Sequence, residues 1–402
     1  MLTVSTLELK PGQVLAAPVA KPDQPDQTLL NRGYVLQPAV IQRLKDLGIT
    51  SVFVDFPGLD DLDKLLAPQL SPERQRIYSQ IKKAIETAQR SSKPAISFAD
   101  YSGSTRELIT TLLRSGQNPV FMEQMARTSD DAVGHATAVA HLSLVLGIKL
   151  ESYLITERSR LPVGHAKETV NLGVAAMLHD LGKTKLPRPL QQRHVASAGE
   201  MDEAQRREWE EHPRLGYEMI QAGVEATAAS AVLHHHQRMD GTGFPAMDVD
   251  GMKQRPAGKK IHIFARIVGA ADLFDRLCTD ANGHRRPNLE VLHLLRTTQA
   301  AAIDPMVLRM LAVVAPPYLP GSTVGLSDGT RAIVTNVNPK APYFPGVRRL
   351  SDDQKLDEKT ISLAPADGPK IESVNGVRIA DMLPGCGEPL DVTEKADPAV
   401  AA

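Results

Sequence analysis

The sequence predicts a mainly α fold, in which a helical core lies between a small α+β N-terminal domain and a short C-terminal β segment. Almost all of residues 129–295 carries apolar side chains at helical spacing. Residues 3–19 and 51–55 are rich in β-branched and apolar residues beside turn signals, as strands are. After Pro316, residues 322–326 and 331–337 again predict strands, with Asp328-Gly329 as a hairpin turn.

Composition excludes several classes of protein. The chain has 402 residues, of which 42% are hydrophobic, enough for a sizeable core and too many for a disordered protein. Its net charge of −1 gives no basic field for a nucleic-acid polymer. Two cysteines make neither a disulfide scaffold nor a cysteine zinc site. With no signal peptide and no apolar stretch of about 20 residues, we expect a cytoplasmic protein with no membrane partner.

The elements predict five regions along the chain. In the first, Pro38 begins a helix that Gly48 ends, and a strand follows at Ser51. In the second, Ser71 and Pro72 begin a helix, and another runs from about Ser104 to Arg127. The regions are an α+β domain (1–65), a helical connector (66–127), the helical core (128–312), a β segment (313–382) and a disordered tail (383–402).

The histidines mark the core as the region that carries chemistry. All 12 lie between His135 and His293. Imidazole is the commonest metal ligand among side chains and the usual acid–base group at neutral pH. His135 follows Asp131 by four residues, so the two share a face of the predicted helix. As alternatives, His135 is a core histidine and Asp131 is an acid in the first helical turn.

Two further candidates follow in the next helices. His179 and Asp180 come directly after the apolar run 174–178, where burial is costly unless both are paired or bound to metal. Lys183 is placed to meet an anion. His212 precedes Pro213 and therefore lies at a helix break. Such a histidine can point into a pocket, although a structural or exposed one is the commoner case.

The last candidates lie beside apolar helices. His234, His235 and His236 end the apolar stretch 228–233, and side chains about 100° apart on a helix need not share a role. Asp272 follows an apolar face and requires a metal, a histidine or an arginine. For Asp275 we also expect the structural role of a buried carboxylate that holds another helix through hydrogen bonds.

Together these residues predict a two-metal centre. Seven side chains are candidate ligands: His135, His179, Asp180, His212, His235, His236 and Asp272. Imidazole and carboxylate without thiolate suit iron, manganese, zinc or nickel. Two metals about 3.5–4 Å apart, bridged by an aspartate and holding a hydroxide between them, are the usual device for phosphodiester hydrolysis.

The order of these motifs resembles the HD-GYP family of the HD phosphohydrolases. The resemblance covers about residues 125–300 and includes the loop Asp240–Pro245. It implies an all-helical HD core that hydrolyses cyclic di-GMP to linear pGpG and onward to GMP. It makes the seven candidates metal ligands and gives Asp180 and Lys183 catalytic roles, with Lys183 on the scissile phosphate. It places Arg286 near the cyclic dinucleotide and Phe244 in the substrate pocket.

The chain departs from the family pattern at several positions. Phe244 replaces the family's tyrosine, and Gln237 replaces a glutamate. Asn288 and Leu289 replace an aromatic and a basic residue. Asp131 stands where members with three metals have glutamate, so it is an additional candidate ligand with a shorter reach. We therefore expect two divalent ions, iron or manganese before zinc or nickel, and disfavour a third.

The resemblance also implies partners and leaves alternatives open. It implies contact of the loop Asp240–Pro245 with a diguanylate cyclase (GGDEF) domain, and a homodimer is a further expectation. One alternative is a weakly active or inactive protein that senses cyclic di-GMP or binds a partner. Another is a phosphohydrolase for a different nucleotide, because a fold does not fix a substrate.

Overall fold

The chain is described here from a computed structural model. The structure describes residues 1–21, 24–49, 51–59, 62, 71–91, 94, 96–115, 132–193, 201–280, 286–351, 355–364 and 368–382. Asp131, the end of the connector predicted at Arg127 and the predicted tail 383–402 lie outside these residues. The division into five regions stays a prediction.

The described core is helical, as predicted. Its α-helices are Ala132–Lys149, Glu151–Glu157, Val163–Ala166, Val170–Leu178, Arg188–Gln191, Glu203–Trp209, His212–Ile220, Ala226–His234, Ile263–Leu277, Asn288–Thr298 and Pro305–Val314. Short 3₁₀ helices cover Leu181–Lys185 and Gly258–Lys260, and a small hairpin pairs Met247–Val249 with Met252–Gln254. The helix Ala132–Lys149 packs against both Val170–Leu178 and Ile263–Leu277 and so lies at the centre.

One helix of the core requires a correction to the sequence analysis. Ala132–Lys149 is long and apolar enough, by length and composition, to cross a membrane, although we expected no such stretch. Of its apolar window, 72% is buried inside the protein. Its apolar side chains therefore contact other helices, as in the core helix of a globular domain.

The helix before His212 covers Glu203–Trp209. Its first turn carries a capping box, in which the Asp202 side chain accepts from the Gln205 backbone N–H and the Gln205 side chain reaches back. It ends at Trp209, and the next helix already begins at His212. The break therefore lies at Glu210 and Glu211, since proline is tolerated in the first turn of a helix.

The N-terminal region combines short strands with one helix. Leu2–Ser5 pairs antiparallel with Ser51–Val54, and Val19–Lys21 pairs with Gln24–Leu30. The helix Pro38–Asp46 begins with its proline, and Gly48 follows it with a φ of 71°. This positive φ suits glycine and ends the helix as the sequence predicts.

Two long helices connect this region to the core. They cover Ser71–Arg90 and Phe98–Ser115, so the second begins six residues before the predicted Ser104. Ile77 and Ile81 are buried on the first helix. Both helices pack against the central helix Ala132–Lys149 and against Val170–Leu178. The connector therefore contributes to the same apolar core as the helical region.

A six-stranded antiparallel sheet forms the C-terminal β segment. Its strands, in spatial order, are Ile361–Ser362, Gly346–Leu350, Arg331–Asn336, Thr323–Leu326, Ile371–Val374 and Val377–Arg378. The helix Ile379–Met382 follows the last strand. The predicted hairpin is present, with Gly329 at a φ of 81° and the Asp328 side chain accepting from the Thr330 backbone. Buried side chains of this sheet belong to the same apolar core as the helices.

The N-terminal region packs against this sheet. The backbone N–H of Thr3 donates to the carbonyl of Gly321 over 2.9 Å. On the strand Arg331–Asn336, Ile333 packs with Leu59 and Leu62 of the N-terminal region, while its neighbours Ala332 and Val334 belong to the helical core. Successive side chains of a strand point to opposite faces, so the sheet is covered on both sides.

Candidate metal centre

The seven candidate ligands come from five segments, and most of them lie at helix ends. His135 is in the first turn of Ala132–Lys149, and His212 is the first residue of its helix. His179 and Asp180 follow directly after Val170–Leu178, and His235 and His236 follow Ala226–His234. Asp272 lies within Ile263–Leu277. The structure brings all seven side chains together.

Two glycines let the ligand-bearing backbones approach each other. A Cβ at Gly182 would overlap the backbone carbonyl of His212, and a Cβ at Gly269 would overlap that of His235. Only glycine fits where two backbones lie in contact. These residues therefore set how closely the segments around His212 and His235 can pack.

The ligands form two groups that share Asp180. Group A is His135, His179, Asp180 and Asp272, and group B is Asp180, His212, His235 and His236. In each group, one possible ligand atom per residue lies within 4.8 Å of all the others.

The carboxylate of Asp180 has one oxygen toward each group. Its Oδ2 lies 3.5 Å from His179 Nε2 and 3.7 Å from His135 Nε2. Its Oδ1 lies 3.4 Å from His212 Nε2 and 3.8 Å from His235 Nε2. This is the arrangement that a carboxylate needs in order to bridge two cations.

Asp272 is the second carboxylate of group A. Its Oδ1 lies 3.0 Å from His135 Nε2 and 3.8 Å from His179 Nε2. Its Oδ2 lies 3.8 Å from His236 Nδ1 in group B. Group A therefore has two carboxylates and two imidazoles, whereas group B has one carboxylate and three imidazoles.

Hydrogen bonds fix the orientation of four imidazoles. The Nδ1 atoms of His179, His212 and His235 lie 2.7–2.8 Å from the backbone carbonyls three residues earlier. The Nδ1 of His135 lies 2.6 Å from Asp275 Oδ2. Because carbonyl and carboxylate oxygens only accept, each Nδ1 is the donor, and each Nε2 keeps a lone pair toward the centre.

The convergence of these lone pairs fits divalent metal ions. His135 Nε2 and His179 Nε2 are 3.2 Å apart, with both protons on the far side of the rings. Asp180 Oδ1 and His235 Nε2 are buried without a hydrogen bond to any described residue. Buried polar atoms without partners are costly, and a cation between them removes that cost. Imidazole and carboxylate are also the donors that transition metals accept.

Burial sets the charge of these groups. Desolvation lowers the pKa of His179, His212 and His236, and with the neighbouring imidazoles it brings the pKa of His235 to about 3. These histidines are therefore neutral at pH 7, the form that binds metals.

The two carboxylates stay ionised in spite of burial. Burial raises the pKa of Asp180, but Lys183 and the adjacent histidines outweigh it and hold the pKa well below the usual range. Burial likewise raises the pKa of Asp272, but the neighbouring His135 and His236 outweigh burial and hold this pKa well below the usual range. The centre therefore combines neutral imidazoles with negative carboxylates, as a metal site requires.

Two cations lie on the group A side of Asp180. Lys183 Nζ donates to Asp180 Oδ2 over 2.7 Å, and burial lowers the pKa of this amine against the opposing effect of Asp180. Arg276 Nη2 lies 3.3 Å from the same oxygen, and Arg276 Nε lies 3.8 Å from Asp272 Oδ1. The sequence analysis proposed Lys183 but not Arg276.

Aromatic rings form a wall beside group B. The Trp209 ring lies 5.0 Å from the ring of His212, and the Phe244 ring lies 4.5 Å from that of His236. Lys183 Nζ is 5.6 Å from the Trp209 ring. Trp209 is fully buried, and its Nε1 donates to the carbonyl of Arg193.

The loop Asp240–Pro245 is attached to the end of group B. The Phe244 N–H donates to the carbonyl of His236, and Gln237 Nε2 donates to the carbonyl of Pro245 over 2.6 Å. Gln237, one of the departures from the family pattern, therefore fixes the loop rather than lying free. A cavity lined by His236, Asp272 and Phe244 opens beside this attachment.

Arg286 and Asn288 have structural contacts. The Arg286 guanidinium donates to Glu290 Oε1 and to the carbonyls of Leu277 and Thr279 over 2.9–3.0 Å. Asn288 donates to the carbonyl of Pro316. Contact of Arg286 with a substrate stays a prediction.

Two residues beside the centre, Arg276 and Trp209, were not among the predicted site residues, and a third, Asp275, was given only a structural role. Asp275 was expected to hold another helix, and the helix it holds carries the ligand His135. Its spacing of three residues after Asp272 was the available signal, since both lie on one helix face. Arg276, four residues after Asp272, carried the same spacing signal, whereas Trp209 gave none, because only the tertiary fold places it beside the ligands.

Comparison with known proteins supports the same site. The HD domain family matches residues 154–307, which include every candidate ligand from His179 to Asp272. A protein of Pseudomonas aeruginosa named cyclic di-GMP phosphodiesterase PA4108 is 23% identical over 336 residues, 77% of this chain and 75% of that protein. The matched region is an HD domain.

Two further relatives match over shorter lengths. The cyclic di-GMP phosphodiesterase response regulator RpfG of Xanthomonas campestris is 30% identical over 160 residues, 39% of this chain and 37% of that protein. The 3′3′-cGAMP-specific phosphodiesterase 3 of Vibrio cholerae is 29% identical over 133 residues, 33% of this chain and 26% of that protein.

A solved structure also matches. It is Bd1817, an HDG"Y"P protein from Bdellovibrio bacteriovorus, with 16% identity and a TM-score of 0.44, and the match covers 77% of this chain and 97% of that one. By its HD domain the chain is a metal-dependent phosphohydrolase, and its two groups of histidine and aspartate residues are where divalent metals fit.

Proposed function

We propose that this chain hydrolyses cyclic di-GMP to linear pGpG, with GMP as a further product. The observation that carries the proposal is the Asp180 carboxylate, whose two oxygens face two separate groups of neutral imidazoles. Divalent ions held there supply a hydroxide nucleophile and stabilise negative charge on the phosphoryl oxygens. The names of two relatives support cyclic di-GMP as the substrate.

The side chains around this centre have separate tasks. Lys183, buried and 2.7 Å from Asp180, is a positive charge at the site of the scissile phosphate. The Trp209 and Phe244 rings exclude water from group B, and a drier site strengthens electrostatic interactions. Phe244 is half-buried, and we propose that the exposed part of its ring contacts a nucleotide base.

We propose two metal ions, with iron or manganese as the resident metals and zinc or nickel as alternatives. Each group offers four ligands, and Asp180 is shared. Histidine-rich donor sets with carboxylates suit all four metals, so the donors alone do not choose among them. The preference for iron or manganese comes from the family resemblance.

The decisive experiment joins metal analysis with product analysis on one sample. Protein purified anaerobically and loaded with Fe²⁺ or Mn²⁺ should convert cyclic di-GMP to pGpG. The conversion is monitored by chromatography. His179→Ala removes a ligand of group A and should reduce both the bound metal and the cleavage to background. His165→Ala, an exposed histidine outside the centre, is the matched control and should behave like the parent. Full cleavage by His179→Ala would show that the assignment is wrong.

The same assay separates the two alternatives. A sensor would bind cyclic di-GMP in a titration and release no product with any of the four metals. A phosphohydrolase for another nucleotide would cleave another member of a panel of cyclic dinucleotides and mononucleotides faster. The relative named for 3′3′-cGAMP is a reason to include that compound. The contact of the loop Asp240–Pro245 with a GGDEF domain and the homodimer stay predictions.

A further inference from the structure

The metal centre contains a second organic cation that the proposed function does not use. The Arg276 guanidinium lies 3.3 Å from Asp180 Oδ2 and 3.8 Å from Asp272 Oδ1. Only 8% of its side chain is exposed. Arg276 follows Asp275, which holds His135, and lies one helical turn after Asp272. It therefore approaches group A from the helix that carries one of its ligands.

The charge of this arrangement points to an anionic ligand. Asp180 and Asp272 carry two negative charges, and Lys183 and Arg276 carry two positive ones beside them. Divalent ions in groups A and B would add four positive charges, which these two carboxylates and that of Asp275 beside His135 cannot balance. Two buried cations beside a metal centre oppose metal binding, and such an arrangement is stable when an anion completes it.

The guanidinium suits a phosphodiester in particular. The planar guanidinium of arginine can donate two parallel hydrogen bonds to two oxygens of one phosphate. A lysine ammonium acts as a point charge and lacks this bidentate geometry. Lys183 and Arg276 both contact Asp180 Oδ2, so they lie on one side of the shared carboxylate. By contrast, Arg286 directs its Nε and Nη1 to Glu290 and to backbone carbonyls.

We propose that Arg276 is a phosphate-binding residue that acts with Lys183 on the substrate diester. Its N–H groups donate to the non-bridging phosphoryl oxygens once metals occupy Asp180 and Asp272. The inference rests on the proposed phosphodiester chemistry but not on cyclic di-GMP as the substrate.

This role predicts effects of opposite sign in one variant. Arg276→Gln removes a positive charge beside two ligand carboxylates, so metal-depleted protein should bind Mn²⁺ about tenfold more tightly. The same change removes charged donors, so Mn²⁺-loaded protein should bind inorganic phosphate about tenfold more weakly. Both affinities are measured by isothermal titration calorimetry. In steady-state cleavage of bis(p-nitrophenyl) phosphate, the KM should rise more than the kcat falls.

Two other variants complete the experiment. Arg276→Lys keeps the charge and most of the apolar stem, and should restore Mn²⁺ affinity to the parent value and phosphate affinity in part. Arg214→Gln removes an exposed arginine of the helix that carries His212, where it pairs with Glu211 and Glu218, and should change neither affinity. Thermal melting of each variant checks that it folds, and Arg276→Lys serves as the test if Arg276→Gln does not.

The outcomes separate this inference from the proposed function. If Arg276→Gln weakens Mn²⁺ binding and leaves phosphate binding unchanged, Arg276 only supports the ligand carboxylates and the inference is wrong. If phosphate and the synthetic diester respond as expected but the parent does not cleave cyclic di-GMP, the inference stands and the proposed substrate fails. If Arg276→Lys loses as much phosphate affinity as Arg276→Gln, phosphate binding depends on the bidentate geometry of the guanidinium and not on its charge alone.

Discussion

At the scale of single residues, the partner of one ring nitrogen decides what the other can do. Four imidazoles of the centre have Nδ1 held by an acceptor, which directs Nε2 and its lone pair inward. Three of these acceptors are backbone carbonyls within the same segment. His135 differs, because its acceptor is the Asp275 carboxylate on another helix. A carboxylate raises the basicity of a ligand histidine more than a carbonyl does.

We expect Asp275→Asn to lower the affinity of the metal centre by about 10- to 100-fold, the usual effect of losing such a partner. The amide has the shape of the carboxylate but no charge to stabilise the His135 imidazole. Calorimetric titration with Mn²⁺ measures the effect. Asp202→Asn is the matched control, since asparagine serves equally well as the N-cap there. An unchanged Mn²⁺ affinity in Asp275→Asn would contradict the proposed role.

At the scale of helices, the site depends on where helices end and how closely they pack. Histidines at helix ends present their side chains into the space between helices, while the apolar residues before them are buried in the core. Gly269 lies on the helix Ile263–Leu277 one turn before Asp272, and its missing side chain makes room for the carbonyl of His235. The helix that supplies Asp272 therefore packs directly on the segment that supplies His235.

Gly269→Ala should destabilise the protein by about 1–3 kcal/mol, because the added methyl group displaces backbone rather than a flexible side chain. The displacement moves His235 away from Asp180, so Mn²⁺ affinity should fall as well. Urea unfolding and metal titration report the two effects. Gly103→Ala places the same methyl group on an exposed helix position with open space and should stabilise the chain slightly. Equal behaviour of the two variants would show that the close approach is not required.

At the scale of the whole molecule, the C-terminal sheet joins the N-terminal region to the helical core. One face of its strand Arg331–Asn336 meets the core through Ala332 and Val334, and the other meets Leu59 and Leu62 through Ile333. The backbone hydrogen bond from Thr3 to Gly321 adds a polar link. The N-terminal region and the C-terminal sheet therefore stabilise each other.

Leu59→Ala should cost about 2–5 kcal/mol of unfolding free energy, because Leu59 is fully buried against Leu62 and Ile333. Hydrogen exchange should speed up in residues 2–5 and 323–336 together, while Mn²⁺ affinity stays at the parent value. Leu7→Ala, at a side chain that is 79% exposed, is the control and should have little effect. Faster exchange in the N-terminal strands alone would contradict the shared interface.

The sequence by itself determined the class of fold, the helical core and the hairpin at Asp328-Gly329. It also singled out the seven histidine and aspartate residues, although their role as metal ligands stays a prediction. These features can be predicted from the sequence because helical spacing, helix caps and turns each depend on residues only a few positions apart. The family resemblance rests on the same short motifs.

Only the tertiary structure decided which distant groups meet. It places a different set of imidazoles beside each oxygen of Asp180. It also places Arg276 beside Lys183 and packs the N-terminal region against the C-terminal sheet. None of these contacts follows from spacing along the chain, because residues far apart in sequence meet through the packing of whole helices. The close approach of backbones at Gly182 and Gly269 fixes that packing. The need for glycine at these positions can be recognised only when the neighbouring backbone atoms are known.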